Sequence, residues 1–262
     1  IVAPGGQRMG LGFGIIGVGM IAGFHARAIR EMGGGRLVAC CDIDRGRAEA
    51  FAGSQGCSAY TDLAAFLRHP DLDIVNICTP SGLHLEPALA AIEAGKHVLI
   101  EKPIEISLER IDRIIEAADR RRVTVAGIFQ SRFRPGAQAV KSEVEAGRFG
   151  RLVLADAYVK WFRSQDYYDK GGWKGKIRID GGGALMNQSI HAIDLLQWFM
   201  GPVASVQAYK DRLAHERIEV EDVAVAAVRF ANGALGVIEG STAVYPGFFK
   251  RIELSGTSGS VV

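Results

Sequence analysis

Two rhythms of apolar and polar residues divide the chain. In the first half, apolar runs at 11–16, 36–41, 74–78, 98–100 and 123–129 take turns with helically spaced stretches at 20–32, 45–55, 63–67, 84–94 and 108–121. In the stretch 20–32, Ile21, Phe24, His25 and Ala28 recur at helical spacing. Gly95 follows the fourth stretch as a helix stop. Strands separated by helices predict a parallel sheet with right-handed crossovers.

After about residue 130 the rhythm changes. Residues 152–162 alternate, and strand-like runs at 203–209, 223–230, 235–240 and 251–254 follow without intervening helices. Asn232-Gly233 is a strong hairpin turn. One helix, at 184–200, interrupts the runs. The expected class is α/β: an N-terminal doubly wound parallel sheet over 9–130, then a C-terminal α+β domain with an open, mostly antiparallel sheet over 131–262. Residues 1–8 read as a leader or tag remnant, with Met9 the expected native start.

Composition narrows the choice. Of 262 residues, 33 are glycine, without a collagen period. A hydrophobic content of 48% argues against disorder. Eleven glycines fall in the first 35 residues and eleven more between Gly127 and Gly201, which predicts two backbone-critical places. A formal charge of +2 gives no field to attract nucleic acid or membrane. Residues 8–28 imitate a signal peptide, but the apolar run is short and broken by glycines. Cys40, Cys41, Cys57 and Cys78 show no metal or disulfide spacing and read as reduced thiols of a cytoplasmic protein; no metal is expected.

The sequence Gly17-Val18-Gly19-Met20-Ile21-Ala22 lies between a strand and a helix. Gly17 makes the tight turn, and Gly19 lets a pyrophosphate reach the helix N-terminus. Asp42, 25 residues after Gly17, suits the adenosine ribose hydroxyls. It favours NAD over NADP, a preference that Arg45 and Arg47 soften. The pattern is that of a Rossmann dinucleotide-binding domain. Thr79-Pro80 and Glu101-Lys102-Pro103 leave the carboxyl ends of strands, where such folds bind ligands. Lys102 is thereby expected beside the nicotinamide, stabilising alkoxide charge on a reacting alcohol.

These pieces, with Ala94-Gly95-Lys96-His97-Val98 and the segment from Gly181 to Asp194, resemble the Gfo/Idh/MocA oxidoreductase family from about residue 10 onward. The resemblance implies a Rossmann domain followed by an α/β domain whose open sheet carries substrate and oligomer contacts. It extends the cofactor set to Gly17, Gly19, Met20, Ile21, Asp42, Thr79, Pro80, His84, Glu101 and Lys102. In the family the helix after the glycine run commonly carries Asp-x-x-x-His. Here His191 matches, and Asn187 stands at the aspartate position. On one continuous helix the two share a face, so His191 is expected to take the hydroxyl proton, with Asn187 supplying a dipole and no charge. Asp194 is expected to orient the His191 ring or meet substrate.

Residues 160–178 hold six cations, two acids and several aromatics, and read as a mobile loop over the site. Lys160, Arg163 and Trp173 are the substrate-binding candidates. The expected activity is hydride transfer between NAD and a secondary alcohol of a sugar, a sugar acid (nucleotide-linked ones among them) or a cyclitol. NAD-assisted glycoside hydrolysis and a non-catalytic NAD-binding partner protein are the alternatives. A homo-oligomer, dimer or tetramer, is expected through the C-terminal sheet. The family resemblance also implies a C-terminal domain cut short at Val262.

Overall fold

A computed structural model describes residues 10–262. The expectations for residues 1–8 and for Met9 as a start lie outside them. The described chain forms two compact units, one ending at Ile128 and the other running from Phe129 to Val262.

The first unit runs β1 (Leu11–Ile16), α1 (Met20–Glu31), β2 (Gly35–Cys41), α2 (Arg45–Gln55), β3 (Ser58–Tyr60), α3 (Leu63–Leu67), β4 (Ile74–Ile77), α4 (Leu85–Glu93), β5 (His97–Ile100), α5 (Leu108–Arg121) and β6 (Val125–Gly127). Its strands pair in the order β3-β2-β1-β4-β5-β6, all parallel. The order reverses between β1 and β4, which makes the crevice at their carboxyl ends the ligand site of a doubly wound sheet. Ile15, Val75, Ile77, Val98 and Ile100 are buried because helices cover both faces. β3 escapes the sequence pattern because it has three residues and almost no apolar side chain. The strand expected at 123–129 shrinks to β6. Arg122 closes α5 in the left-handed region, and the Val123 amide turns back to Ala118.

The second unit runs α6 (Pro135–Glu145), β7 (Leu152–Lys160), α7 (Gln165–Asp169), α8 (Ile177–Asp180), a π turn (Ala184–Ser189), α9 (Ile190–Met200), β8 (Val203–Asp211), β9 (Val223–Phe230), β10 (Leu235–Ser241), β11 (Arg251–Gly256) and β12 (Ser260–Val261). The strand order is β12-β11-β7-β10-β9-β8, with only β7 and β10 parallel. Register separates the two faces. Leu254, Ala155 and Val228 join Ala157 and Ala226 in a core with Ala192, Leu195, Leu196 and Phe199 of α9. The other face presents the row Arg251, Tyr158, Glu239, Val225 and Tyr209. There Tyr209 is 77% exposed, and Leu154, Val225 and Leu235 are also exposed.

Residues 160–178, expected to be a mobile loop, instead carry α7 and α8. The helix expected at 184–200 is a π turn followed by α9. Among the described residues no helix is long and apolar enough to cross a membrane, and no group of three His, Cys, Asp or Glu side chains could hold a metal.

Candidate active site

The turn from β1 to α1 is built from backbone. Gly17 has φ +87°, and a Cβ there would stand 2.9 Å from the Cys78 carbonyl, so only glycine fits. Gly19 caps α1. Its chain neighbours aside, no atom of the described residues lies within 4 Å of the place its Cβ would take. No side chain caps α1, and its first turn, with Met20 and Ile21, holds no acid. Those amides are therefore donors available to an anion, reinforced by the helix dipole. The cradle fits the pyrophosphate of NAD.

Asp42, buried at the end of β2, holds the turn in place. Its Oδ2 accepts from the Val18 amide at 3.0 Å; its Oδ1 accepts from the Asp44 amide at 2.9 Å and from Arg47 at 2.8 Å. A carboxylate has about four acceptor sites, so one remains for a ribose hydroxyl. Arg47 is more than half exposed and partly neutralises that carboxylate. Thr79 and Pro80 lead from β4 into a short turn, where the Thr79 hydroxyl donates to Leu83 O at 3.0 Å.

His84 departs from its expected place on the cofactor surface. Its side chain is fully buried, with Nδ1 3.0 Å from Pro103 O and Nε2 2.9 Å from Thr79 O. The ring ties the Thr79 turn to the Lys102–Pro103 turn from inside the protein and has no nitrogen left for a ligand.

Glu101 and Lys102 follow β5. The Lys102 amide donates to Glu101 Oε2 at 3.1 Å, and Glu101 Oε1 lies 2.9 Å from His25 Nε2. The buried Asn76 amide nitrogen is 2.8 Å from His25 Nδ1. Burial would raise the Glu101 carboxyl, but hydrogen bonds and charge from His25 and Lys102 outweigh it and hold it below its usual range. An ionised carboxylate thus lies directly behind Lys102. Sequence reasoning did not connect His25 to this motif, although its place on the inner face of α1 was visible.

In the second unit, Glu221 pins the glycine run. Its carboxylate accepts from the amides of Gly183 and Leu185 at 3.1 and 3.0 Å, and its carbonyl accepts from Ala184 at 2.9 Å. A Cβ on Gly183 would collide with Glu221 O. The second glycine cluster therefore answers to a close approach of the chain to itself.

Asn187 lies inside the π turn, where bonds run to the fifth residue, so a spacing of four no longer guarantees a face shared with His191. Its amide nitrogen donates to the buried Asp180, and its oxygen accepts from Gln188 at 2.7 Å. Gly175 N also donates to Asp180, at 2.8 Å. His191 is half-buried on α9, with its ring edge-on to Phe129.

Asp194 does not orient His191. Both its oxygens take the Arg132 guanidinium, which lies over Trp198. Lys160 is also diverted: it pairs with Glu239 at 2.7 Å, beside Tyr158, on the sheet face away from α9. Trp173 is half-buried in the turn between α7 and α8. Arg163 donates Nη2 to Gln188 Oε1 at 3.0 Å, and its guanidinium lies over Trp161 and Tyr167. Lys174 holds its ammonium 3.8 Å from the Tyr167 ring centre. Sequence reasoning missed Asp180, Gln188 and Tyr167 as neighbours because their pairings depend on tertiary contacts that no motif spacing records.

Comparison with known proteins agrees with this geometry. The oxidoreductase family model with an NAD-binding Rossmann fold matches residues 11–129, and the GFO/IDH/MocA C-terminal domain model matches residues 137–262. The chain is 38% identical to the WlbA dehydrogenase of Bordetella pertussis, whose structure was solved with NADH and UDP-GlcNAcA; the TM-score is 0.92 over 96% of this chain and 77% of that one. It is 32% identical to the uncharacterized oxidoreductase YrbE of Bacillus subtilis, covering 94% of this chain and 72% of that protein. It is 31% identical to the myo-inositol 2-dehydrogenase of Thermotoga maritima, covering 95% and 73%. With the dinucleotide cradle, the Glu101-Lys102-Pro103 turn and both family models in agreement, the chain belongs to the Gfo/Idh/MocA oxidoreductases as an NAD-dependent dehydrogenase acting on CH–OH groups.

Proposed function

We propose that the chain oxidises a secondary alcohol on the sugar ring of a nucleotide-linked uronic acid. The observation that carries this reading is Arg163. Its Nε–H is buried and has no acceptor among the described residues. Leaving a buried donor unsatisfied costs about 1–3 kcal/mol, which a carboxylate or phosphate of the substrate would recover. Neither Arg163 nor Lys174 pairs with an acid among the described residues, and both cations meet Tyr167. A cavity of about 440 Å³ lined by Ser164, Asp166, Tyr167, Lys170, Gly171 and Lys174 shares Tyr167 and Lys174 with them, and Lys170 is paired there with Asp166. The 38% identity to a dehydrogenase solved with UDP-GlcNAcA supports the same substrate class.

When bound, NAD supplies the acceptor for the hydride that leaves the carbinol carbon. The Lys102 ammonium donates a hydrogen bond to the alcohol oxygen and stabilises negative charge as the proton leaves. His191 takes that proton as general base, and the product is a ketone. Asn187 orients the substrate without carrying a proton, because its amide is already fixed between Asp180 and Gln188. Copies of the chain associate through the sheet face that carries Tyr209, Val225 and Leu235, with apolar area exposed there.

The test is NADH absorbance with UDP-GlcNAcA and NAD, and a product mass lower by two hydrogens. We expect turnover with this substrate and little with myo-inositol or levoglucosan. The reverse order would assign the site to an uncharged polyol.

A further inference from the structure

The Arg163 peptide is gripped from both sides. Its amide donates to Thr242 O at 2.8 Å, and its carbonyl lies 2.8 Å from His215 Nε2. The other ring nitrogen, Nδ1, lies 2.9 Å from Asp222 Oδ2. Both neighbours are acceptors. A carbonyl oxygen has no proton to give. Burial alone would raise the Asp222 carboxyl, but the amides of Leu213, His215 and Ala214, together with the His215 ring, hold it below the usual range and therefore ionised. The Arg163 carbonyl can only accept from the ring, through Nε2, while Nδ1 faces the Asp222 carboxylate. The pair is shielded: the His215 side chain is 5% exposed and Asp222 is not exposed. Tyr168 packs edge-on against the ring at 4.9 Å and donates its hydroxyl to Thr242.

We infer that His215 is a positioning residue for substrate recognition: held between Asp222 and the Arg163 carbonyl, it clamps the Arg163 peptide and so sets where the Arg163 guanidinium meets the substrate anion. The inference rests on Arg163 reading that anion. Arg163 comes three residues after the end of β7, and its guanidinium lies over Trp161 and Tyr167. A shift of its main chain would carry the buried Nε–H with it. His215 is 52 residues away in sequence and contacts the main chain of Arg163, so no local motif announces it.

The experiment is a double-mutant cycle read as KM for UDP-GlcNAcA. His215→Asn keeps a short amide toward Asp222 but does not reach Arg163 O. It should raise KM about tenfold, the scale of one lost hydrogen bond, while kcat and NAD affinity stay within about twofold. In an Arg163→Ala background the same replacement should add nothing. His215→Gln, whose longer amide reaches Arg163 O, should restore most of the lost affinity. Additive effects in the two backgrounds, or a fall in kcat at unchanged KM, overturn the inference alone. If Arg163→Ala leaves KM unchanged, the reading of Arg163 falls and the inference falls with it.

If His215→Asn does not fold, His215→Gln and His215→Ser carry the same cycle: KM should rise with the short hydroxyl and not with the long amide, and only where Arg163 is present. Equal KM values for the two variants overturn the inference.

Discussion

The nucleotide cradle of the first unit and the Arg163 region of the second are made of different material. The cradle is main chain: a glycine turn, an uncapped helix start and one carboxylate that ties them together. The Arg163 region is side chain bonded to side chain, from Asp180 through Asn187 and Gln188 to Arg163 and Tyr167. A backbone site tolerates almost no change at its glycines and much at its neighbours. A side-chain network spreads its dependence over several residues, each of which another polar residue replaces only in part.

The largest expected effect tests the first unit's chemistry. Lys102→Ala should lower kcat by about 10²–10³-fold, the scale for losing one charge-stabilising donor, and leave NAD affinity intact; stopped-flow hydride transfer and NAD titration measure the two separately. Next come the glycines, which should behave oppositely. Gly17→Ala should destabilise by about 1–3 kcal/mol in denaturant melts, because a left-handed residue and a 2.9 Å contact must both relax. Gly19→Val meets no atom of the described residues beyond its chain neighbours, so its thermal midpoint should fall less than that of Gly17→Ala while NAD binding weakens. If both changes act on stability alone, the cradle is not a ligand site.

In the second unit, Asp194→Asn should lower stability by about 1 kcal/mol or more, since Asp194 and Arg132 form a two-pronged ion pair. It should leave the pH profile of kcat unchanged, because both Asp194 oxygens are taken by Arg132. A shifted profile would restore Asp194 to the catalytic group.

The smallest effect concerns pH. The Glu101 carboxyl is held below its ordinary value in the folded protein, so its contribution to stability is fully present above the unfolded value of about 4.3. That contribution disappears as pH falls through the lower folded value. Thermal melts between about pH 6 and 3 should show a shallower acid decline for Glu101→Gln than for wild type.

The same contrast explains what was legible in the sequence. That Gly17 and Gly19 lie in the β1–α1 turn, Asp42 at the end of β2 and Lys102 just after β5 could be read because strand, turn and helix succeed one another locally, and the motif records main-chain geometry. His84 carried the motif but was assigned the wrong surface: spacing fixes its position on the chain, and only packing shows its ring enclosed by carbonyls. Asp194 was read from helix periodicity toward His191, whereas Arg132, 62 residues away, takes both its oxygens. Lys160 was read from its charge, but a cross-strand glutamate opposes it. The alternation of β7 and the strand-like runs of β8 to β11 were visible. The single parallel pair, β7 with β10, was not, because period two is common to both senses of pairing.

The π turn at Ala184–Ser189 has a consequence for comparing sequences. It acts as a phase slip, taking up length that an uninterrupted helix would turn into rotation. Removing one residue there would let α9 extend backward as ordinary α-helix while the segments on either side keep their phase; the same removal inside α9 would swing everything before it by about 100° around the axis. A relative one residue shorter in that turn should therefore keep its flanks in place and differ in the side chains that the turn itself presents, Asn187 among them.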